Sequence, residues 1–212
     1  MASRTLIGLD CEMTGTDWTA HRLIQIGLCL DPRDETKNFV ADVGWAKGTY
    51  KYNQESLDVI GWDFDRIEAG DYDYEVENDI LNWCAANDLK EKSLVPVGYA
   101  VKTFDMPFVL NTFPRFAEYF IFPNVEGPYR PYLCRACDLT DVTYGMTYGR
   151  KTNGKGKGRP EDWGFDGWKR AGKQYAVAEL TKLGDERTFH DAGYDAKAAM
   201  LALEFYRANA GS

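Results

Sequence analysis

The chain has 212 residues, 44% of them hydrophobic and 14% aromatic, which is enough apolar material for one large domain with a full core rather than two small ones. A net charge of -8 argues against a protein that simply coats nucleic acid, and five cysteines, an odd and modest count, argue against a disulfide framework. No apolar run approaches the roughly 18 residues of a membrane span and the start MASRT lacks a signal peptide's apolar region, so a soluble, intracellular, cytoplasmic protein is expected.

Leu6 to Leu9 (LIGL) is a short apolar run of the kind that forms a central strand covered on both faces, and Asp10 and Glu12 continue it. Alternation on a strand puts both carboxylates on one face and Cys11 on the other. Two acids side by side at the end of a buried strand repel unless a cation or a proton neutralises them, and oxygen ligands favour a hard ion, Mg²⁺ or Mn²⁺. On this stretch alone, two solvated acids in a turn are an equal reading.

Leu23 to Leu30 (LIQIGLCL) reads as a second strand closed by the turn residues Asp31, Pro32 and Arg33, and Lys37 to Val43 as a third, so the chain begins as a meander. His21, between the first two strands, is expected to face solvent. A short helix is expected around Glu55 to Val59, and Tyr74 to Asn87 has helical spacing with Asn87 as its stop. Leu94 to Val97, interrupted by Pro96, reads as a strand leading into Gly98. Asp105 precedes Met106, Pro107 and an apolar run, which taken in isolation is the signature of a helix N-cap. A strand over Leu133 to Leu139 is expected next; its Cys134 and Cys137 form a CxxC with no partner pair at zinc-finger spacing.

From Tyr144 to Lys173 the composition shifts, and Gly149 to Pro160 (GRKTNGKGKGRP) reads as a flexible loop. Arg150, Lys151, Lys155, Lys157 and Arg159, then Lys169, Arg170 and Lys173, concentrate basic charge that the chain total conceals. Tyr144, Tyr148, Trp163, Phe165 and Trp168 are interleaved with it, a mixture that suits a single strand, although a merely solvated loop has the same composition. Tyr175 to Leu183 has helical spacing with Gly184 as its cap. Asp191 can cap a last helix in which Asp195, Ala199, Ala202 and Tyr206 share one face, so Asp195 lies among alanines where a helix can approach another element closely. His190 falls in the loop before it, within reach of the same place.

Four acids in three separated blocks, with a histidine beside the last, resemble the DEDDh branch of the DnaQ-like 3′-to-5′ exonucleases, in the ribonuclease H-like superfamily. The first block, DCEMTG followed by HRLIQIGLCL, looks most like oligoribonucleases and the RNA exonucleases that share DCEM; the third, His190-x-Ala192-x-x-Asp195, fits the family's HxAxxD signature. The resemblance covers roughly Leu6 to Val43, Leu94 to Leu139 and Tyr175 to Tyr206. Three departures stand out: Tyr99 and Ala100 replace the usual His-Asn before Asp105, Gln25 stands where a glutamate is usual, and Tyr144 to Lys173 looks like an insertion. The resemblance implies a single exonuclease domain over residues 1–212 with a basic insertion at about 144–173. It implies a three-layer α/β fold: a mixed sheet of about five strands, the first three antiparallel neighbours and the later ones parallel to the first, with helices on both faces.

It also implies a mechanism. Asp10, Glu12 and Asp195 would hold one Mg²⁺ or Mn²⁺, Asp10 would bridge to a second, Asp105 would assist the second ion, and His190 would take the proton from the attacking water. An unperturbed imidazole, titrating at about 6.5, suits that role. Met13 and Thr14 resemble positions that contact the terminal nucleotide, while Tyr99 and the basic residues Arg150 to Arg159 are candidates for substrate binding. The expected partner is the 3′ end of single-stranded or frayed DNA or RNA, cut to nucleoside 5′-monophosphates. A short-oligonucleotide hydrolase and a non-catalytic, polymerase-associated binding subunit are the competing readings; oligomeric state is left open.

Overall fold

A computed structural model describes residues 4–122, 134–148, 165–187 and 189–210. The alternation around the two acids is realised in β1 (Thr5–Met13). Its residues Ile7, Leu9 and Cys11 are buried in the main apolar core on one face, which leaves Gly8, Asp10 and Glu12 on the other. β1 pairs antiparallel with β2 (Leu23–Cys29), and β2 antiparallel with β3 (Asn38–Asp42). β4 (Leu94–Gly98) runs parallel to β1, and β5 (Cys137–Asp138) parallel to β4, giving the order β3-β2-β1-β4-β5. The expected mixed sheet of five strands is thus present, with its expected directions.

Pro96 sits inside β4, opposite Ile7 of the central strand. The Leu94 N–H points away from β1, to the Tyr119 carbonyl at 2.9 Å. By alternation the Pro96 nitrogen points the same way, into the gap before β5 begins its pairing at Val97. The missing N–H therefore costs no ladder bond.

On the Leu9 face lie α3 (Asp73–Ala86), α4 (Asp105–Thr112) and the short α5 (Pro114–Ala117). Val76, Ile80, Met106, Phe108, Phe113 and Phe116 from this layer are fully buried. Burying each phenylalanine is worth roughly 1.5–3 kcal/mol against leaving it in water. On the Asp10 face lies α8 (Ala192–Ala210), which crosses β1, β2 and β4. Its approach depends on two glycines: a methyl at Gly8 would overlap the Ala196 carbonyl, and one at Gly27 the Ala192 carbonyl. Small residues on both surfaces bring α8 almost backbone to backbone with the sheet. α7 (Phe165–Lys182) packs on α8, and α6 (Leu139–Tyr148) on both.

Several elements differ from the expectation. The strand expected over Leu133 to Leu139 is a two-residue pairing, after which the chain turns directly into α6, because Asp138 accepts the Thr140 N–H at 2.9 Å and starts the helix. α7 begins at Phe165, ten residues before the expected Tyr175, so helix reaches into the basic insertion from its C-terminal side as α6 does from the other. The short helix near Glu55 is α1 (Gln54–Ile60), and α2 (Phe64–Ala69), capped by Asp63 on the Arg66 N–H, follows it in a stretch with no readable helical period. All five cysteines are free thiols. Among the described residues no helix is long and apolar enough to cross a membrane.

Candidate active site

At the carboxyl end of β1 the sheet, α4 and the start of α8 enclose a pocket of about 450 Å³. Its lining includes Asp10 and Glu12 from β1, Asp105 from α4, and His190 and Asp195 from the entry to α8. The five residues come from three distant parts of the chain, and the elements that carry them are joined by specific bonds. The Cys11 N–H of β1 donates to Asp105 Oδ1 at 2.9 Å, so Asp105 is the first residue of α4 but is turned across to the central strand rather than capping its own helix. The isolated N-cap expectation for this residue does not hold. Asp191 does cap α8, accepting the Tyr194 N–H at 2.9 Å. Asp195 Oδ2 accepts the His190 N–H at 2.8 Å, which holds the loop in place although His190 has a left-handed backbone (φ 72°), costly for a residue with a side chain.

That loop is tied on its outer side as well. Arg187 bridges Asp185 at 2.6 Å and Asp191 at 3.2 Å, and Lys197, almost wholly buried, reaches Asp185 at 3.3 Å. The bonds from Arg187 hold the Asp185 carboxyl down at about 2. Gln25, in β2 opposite Glu12, supplies the link between sheet and helix: its Oε1 accepts the Ala192 N–H at 2.7 Å while its Nε2 donates to Asp42 at 2.7 Å. Both halves of the amide are used. A glutamate here would keep the first bond and lose the second.

The electrostatics of the pocket are those of too many acids in one place. Burial, and then Asp105, Asp195 and Glu12 in turn, push the Asp10 carboxyl well above the usual range, with Lys173 pulling the other way. Burial and the neighbouring Asp195 and Asp105 push Glu12 up to about 8. Burial raises Asp105 to about 8 despite the Cys11 N–H, and raises Asp195 despite the His190 N–H. A cation relieves every one of these shifts at once. The donor set is suited to a hard one. It offers carboxylate oxygens, with ligand atoms of Glu12, His190 and Asp195 all within 4.8 Å of one another, while the Cys11 thiol lies in the core behind the strand.

The remaining expected residues divide. Met13 and Tyr99 line the pocket. Thr14 does not: it is fully buried, its hydroxyl donating to the Lys51 carbonyl at 2.8 Å and accepting the Arg22 N–H at 2.9 Å, so its side chain serves the turn after β1. His21 is likewise structural, accepting the Asp17 N–H through Nδ1 at 3.0 Å. Arg150, Lys151, Lys155, Lys157 and Arg159 lie outside the described residues. Phe104, Phe189 and Lys173 also border the pocket, and Ala100, with φ 56°, holds the turn before α4 by donating to Asp138 at 3.1 Å. Sequence reasoning misses Phe104 and Phe189; Lys173 it names only within the basic stretch that suits a single strand, and Ala100 only as a departure before Asp105. For Phe104 a signal does exist, its place next to Asp105.

No protein-family model and no curated protein sequence matches the chain. Solved structures do. E. coli exonuclease I in complex with a dT13 oligonucleotide matches with a TM-score of 0.57 at 18% identity, over 95% of this chain and 40% of that one. Cell-death related nuclease 4 matches with 0.54 at 16%, over 99% and 65%, and S. pombe Pop2p in its Mg²⁺- and Mn²⁺-bound form with 0.56 at 15%, over 98% and 83%. The chain spans under half the length of exonuclease I. At these identities the likeness is one of fold, the ribonuclease H-like arrangement of a mixed sheet with helices.

Proposed function

We propose that the protein is a divalent-metal-dependent 3′-to-5′ exonuclease of the DEDDh type, acting on single-stranded or frayed nucleic acid and releasing nucleoside 5′-monophosphates. The observation that carries the reading is the convergence of Asp10, Glu12, Asp105 and Asp195, with His190, on one pocket, where burial and then the neighbouring acids push the Asp10 and Glu12 carboxyls above their usual range. Three solved nucleases or metal-bound relatives with the same fold, one of them carrying an oligonucleotide, support it.

Asp10, Glu12, Asp105 and Asp195 would hold the ions, Mg²⁺ or Mn²⁺. When bound, these supply Lewis-acid stabilisation of the charge that builds on the phosphodiester oxygens during in-line displacement. The chain's own residues do the rest. His190, at the rim and backed by Asp195 through its main chain, takes the proton from the attacking water and passes it to solvent. Gln25, Asp191 and Arg187 fix the start of α8, so the base and the acid it flanks keep one geometry. Met13, Tyr99 and Phe104 offer apolar surface for the terminal nucleotide.

Product analysis tests this. Wild-type protein with Mn²⁺ should release mononucleotides bearing a 5′-phosphate, and Asp10→Ala or Asp195→Asn should reduce the rate by at least about a thousandfold, as expected when charge stabilisation in the transition state is lost. His190→Ala should cut the rate severely while leaving Mn²⁺ binding largely intact. Full turnover by Asp10→Ala would sink the assignment.

A further inference from the structure

The carboxylate cluster has a cationic wall that metal binding does not account for. α7 approaches α8 at Gly172, where any side chain would overlap the Tyr206 hydroxyl. Tyr206 in turn meets the Tyr99 hydroxyl at 2.8 Å, which sets the Tyr99 ring beneath α7. The Lys169 and Lys173 ammonium groups stand 5.6 and 5.3 Å from the centre of that ring, and Lys173 is also 4.8 Å from the centre of Phe189. A ring face holds a cation without neutralising it, so Lys169 keeps its charge for an anion, and Lys173 divides its charge between the groove and the Asp10 and Asp195 carboxyls. Lys173 is, among the described residues, the one lysine or arginine lining the acidic pocket.

A second groove of about 450 Å³ begins where the first ends. Lys173 and Phe189 border both, and the second continues along α7 past Lys169, Arg170 and Val177. Val177, Ala178, the Phe189 ring and the lysine stems give it apolar surface, and Lys169, Arg170 and Lys173 outnumber its one acid, Asp166, a combination that suits a chain alternating flat bases with charged phosphates. Lys169 and Lys173 are one turn apart, a rise of about 6 Å, close to one nucleotide step of an extended strand.

Building on the proposed nuclease activity, we infer that the α7 face is the track for the single strand upstream of the bond being cut. Lys173 takes the phosphate next to the acidic pocket, Lys169 and Arg170 take phosphates further from the 3′ end, and Phe189 receives a base at the junction of the two grooves. The substrate class is a single-stranded oligonucleotide several residues long.

Binding of a labelled single-stranded oligonucleotide of about twelve nucleotides, followed by anisotropy in EDTA across a salt series, tests the track apart from turnover. Lys173→Gln and the double variant Lys169→Gln, Arg170→Gln should each weaken binding by about tenfold. For every phosphate that a variant no longer neutralises, the slope of log affinity against log salt should fall in magnitude by about 0.7, with Lys173→Arg restoring most of the affinity. The weakening should be greater for the long strand than for a dinucleotide. Unchanged affinity and salt slope in both variants would overturn the track while leaving the nuclease reading intact, and so would a wild-type protein that binds no strand. A wild type that binds and loses affinity on these substitutions, yet releases no nucleotide with Mn²⁺, would support the track and overturn the nuclease reading.

Discussion

Asp10 meets three other carboxylates across one pocket, so the metal-free protein resists its charge. Asp10→Asn removes that charge and keeps the shape. In EDTA at pH 8 the variant should therefore melt higher than wild type, by ~2–4 °C for each kcal/mol of repulsion relieved in a chain of this size, while losing hydrolysis altogether. A lower melting temperature would mean that Asp10 makes a bond the repulsion does not outweigh. The five residues that share the pocket stand in the sequence beside local signals, a buried strand for Asp10 and Glu12, a helix start for Asp105 and a capped helix for His190 and Asp195, but each signal alone also fits a structural role, and it is the resemblance of the three blocks to DEDDh exonucleases that joins them. Thr14, by contrast, misleads. A bulge between Glu12 and Met13 breaks the β1–β2 register just before it, and its hydroxyl turns into the protein. Lys173 is named in the sequence only as one of a run of basic residues, because side-chain direction on a helix cannot be assigned before the helix is, and α7 starts ten residues before the periodicity at Tyr175.

At the level of elements, the site exists because α8 can lie directly on β1 and β2, and Gly8, Gly27 and the alanines of α8 are what allow it. Gly27→Ala should cost about 1–3 kcal/mol of stability by overpacking and reduce activity more than stability, since Asp195 moves with the helix. Denaturant melts and rates at a fixed temperature separate the two effects; equal loss in both would argue that α8 has no privileged position. Gln25 tests the same junction from the other side. Gln25→Glu keeps the acceptor for the Ala192 N–H but sets a carboxylate against Asp42, and it should destabilise by about 1–3 kcal/mol near neutral pH. A neutral or stabilising effect would show that the bond to Asp42 is dispensable. The strand directions are readable from the meander and from the apolar runs that follow it, whereas the extent of β5 is not: the apolar pattern suggests a strand over Leu133 to Leu139, and the described pairing is only Cys137–Asp138.

For the whole molecule, the raised acids make a linked prediction about pH. Glu12 and Asp105 keep their protons up to about 8 in the folded chain but release them near 4 when unfolded, so the folded state binds more protons between those values and stability falls as pH rises through that window. In EDTA the melting temperature should decline from about pH 5 to 8, and Mn²⁺ should reverse most of the decline at the upper end, because an ion that binds only the folded state adds stability. A metal-free protein that becomes steadily more stable towards pH 8 would contradict the crowding of acids described here. The net charge of -8 conceals a basic face on α7 beside an acidic pocket. The proposed activity itself is decided by a time course with 5′-labelled single-stranded RNA and DNA oligomers, with Mg²⁺ or Mn²⁺ and with EDTA, using wild type and Asp195→Asn. A metal-dependent 3′-to-5′ exonuclease gives a ladder that shortens stepwise from the 3′ end with metal and wild type only; intact substrate, metal-independent cleavage, or an undiminished ladder from Asp195→Asn would contradict that function.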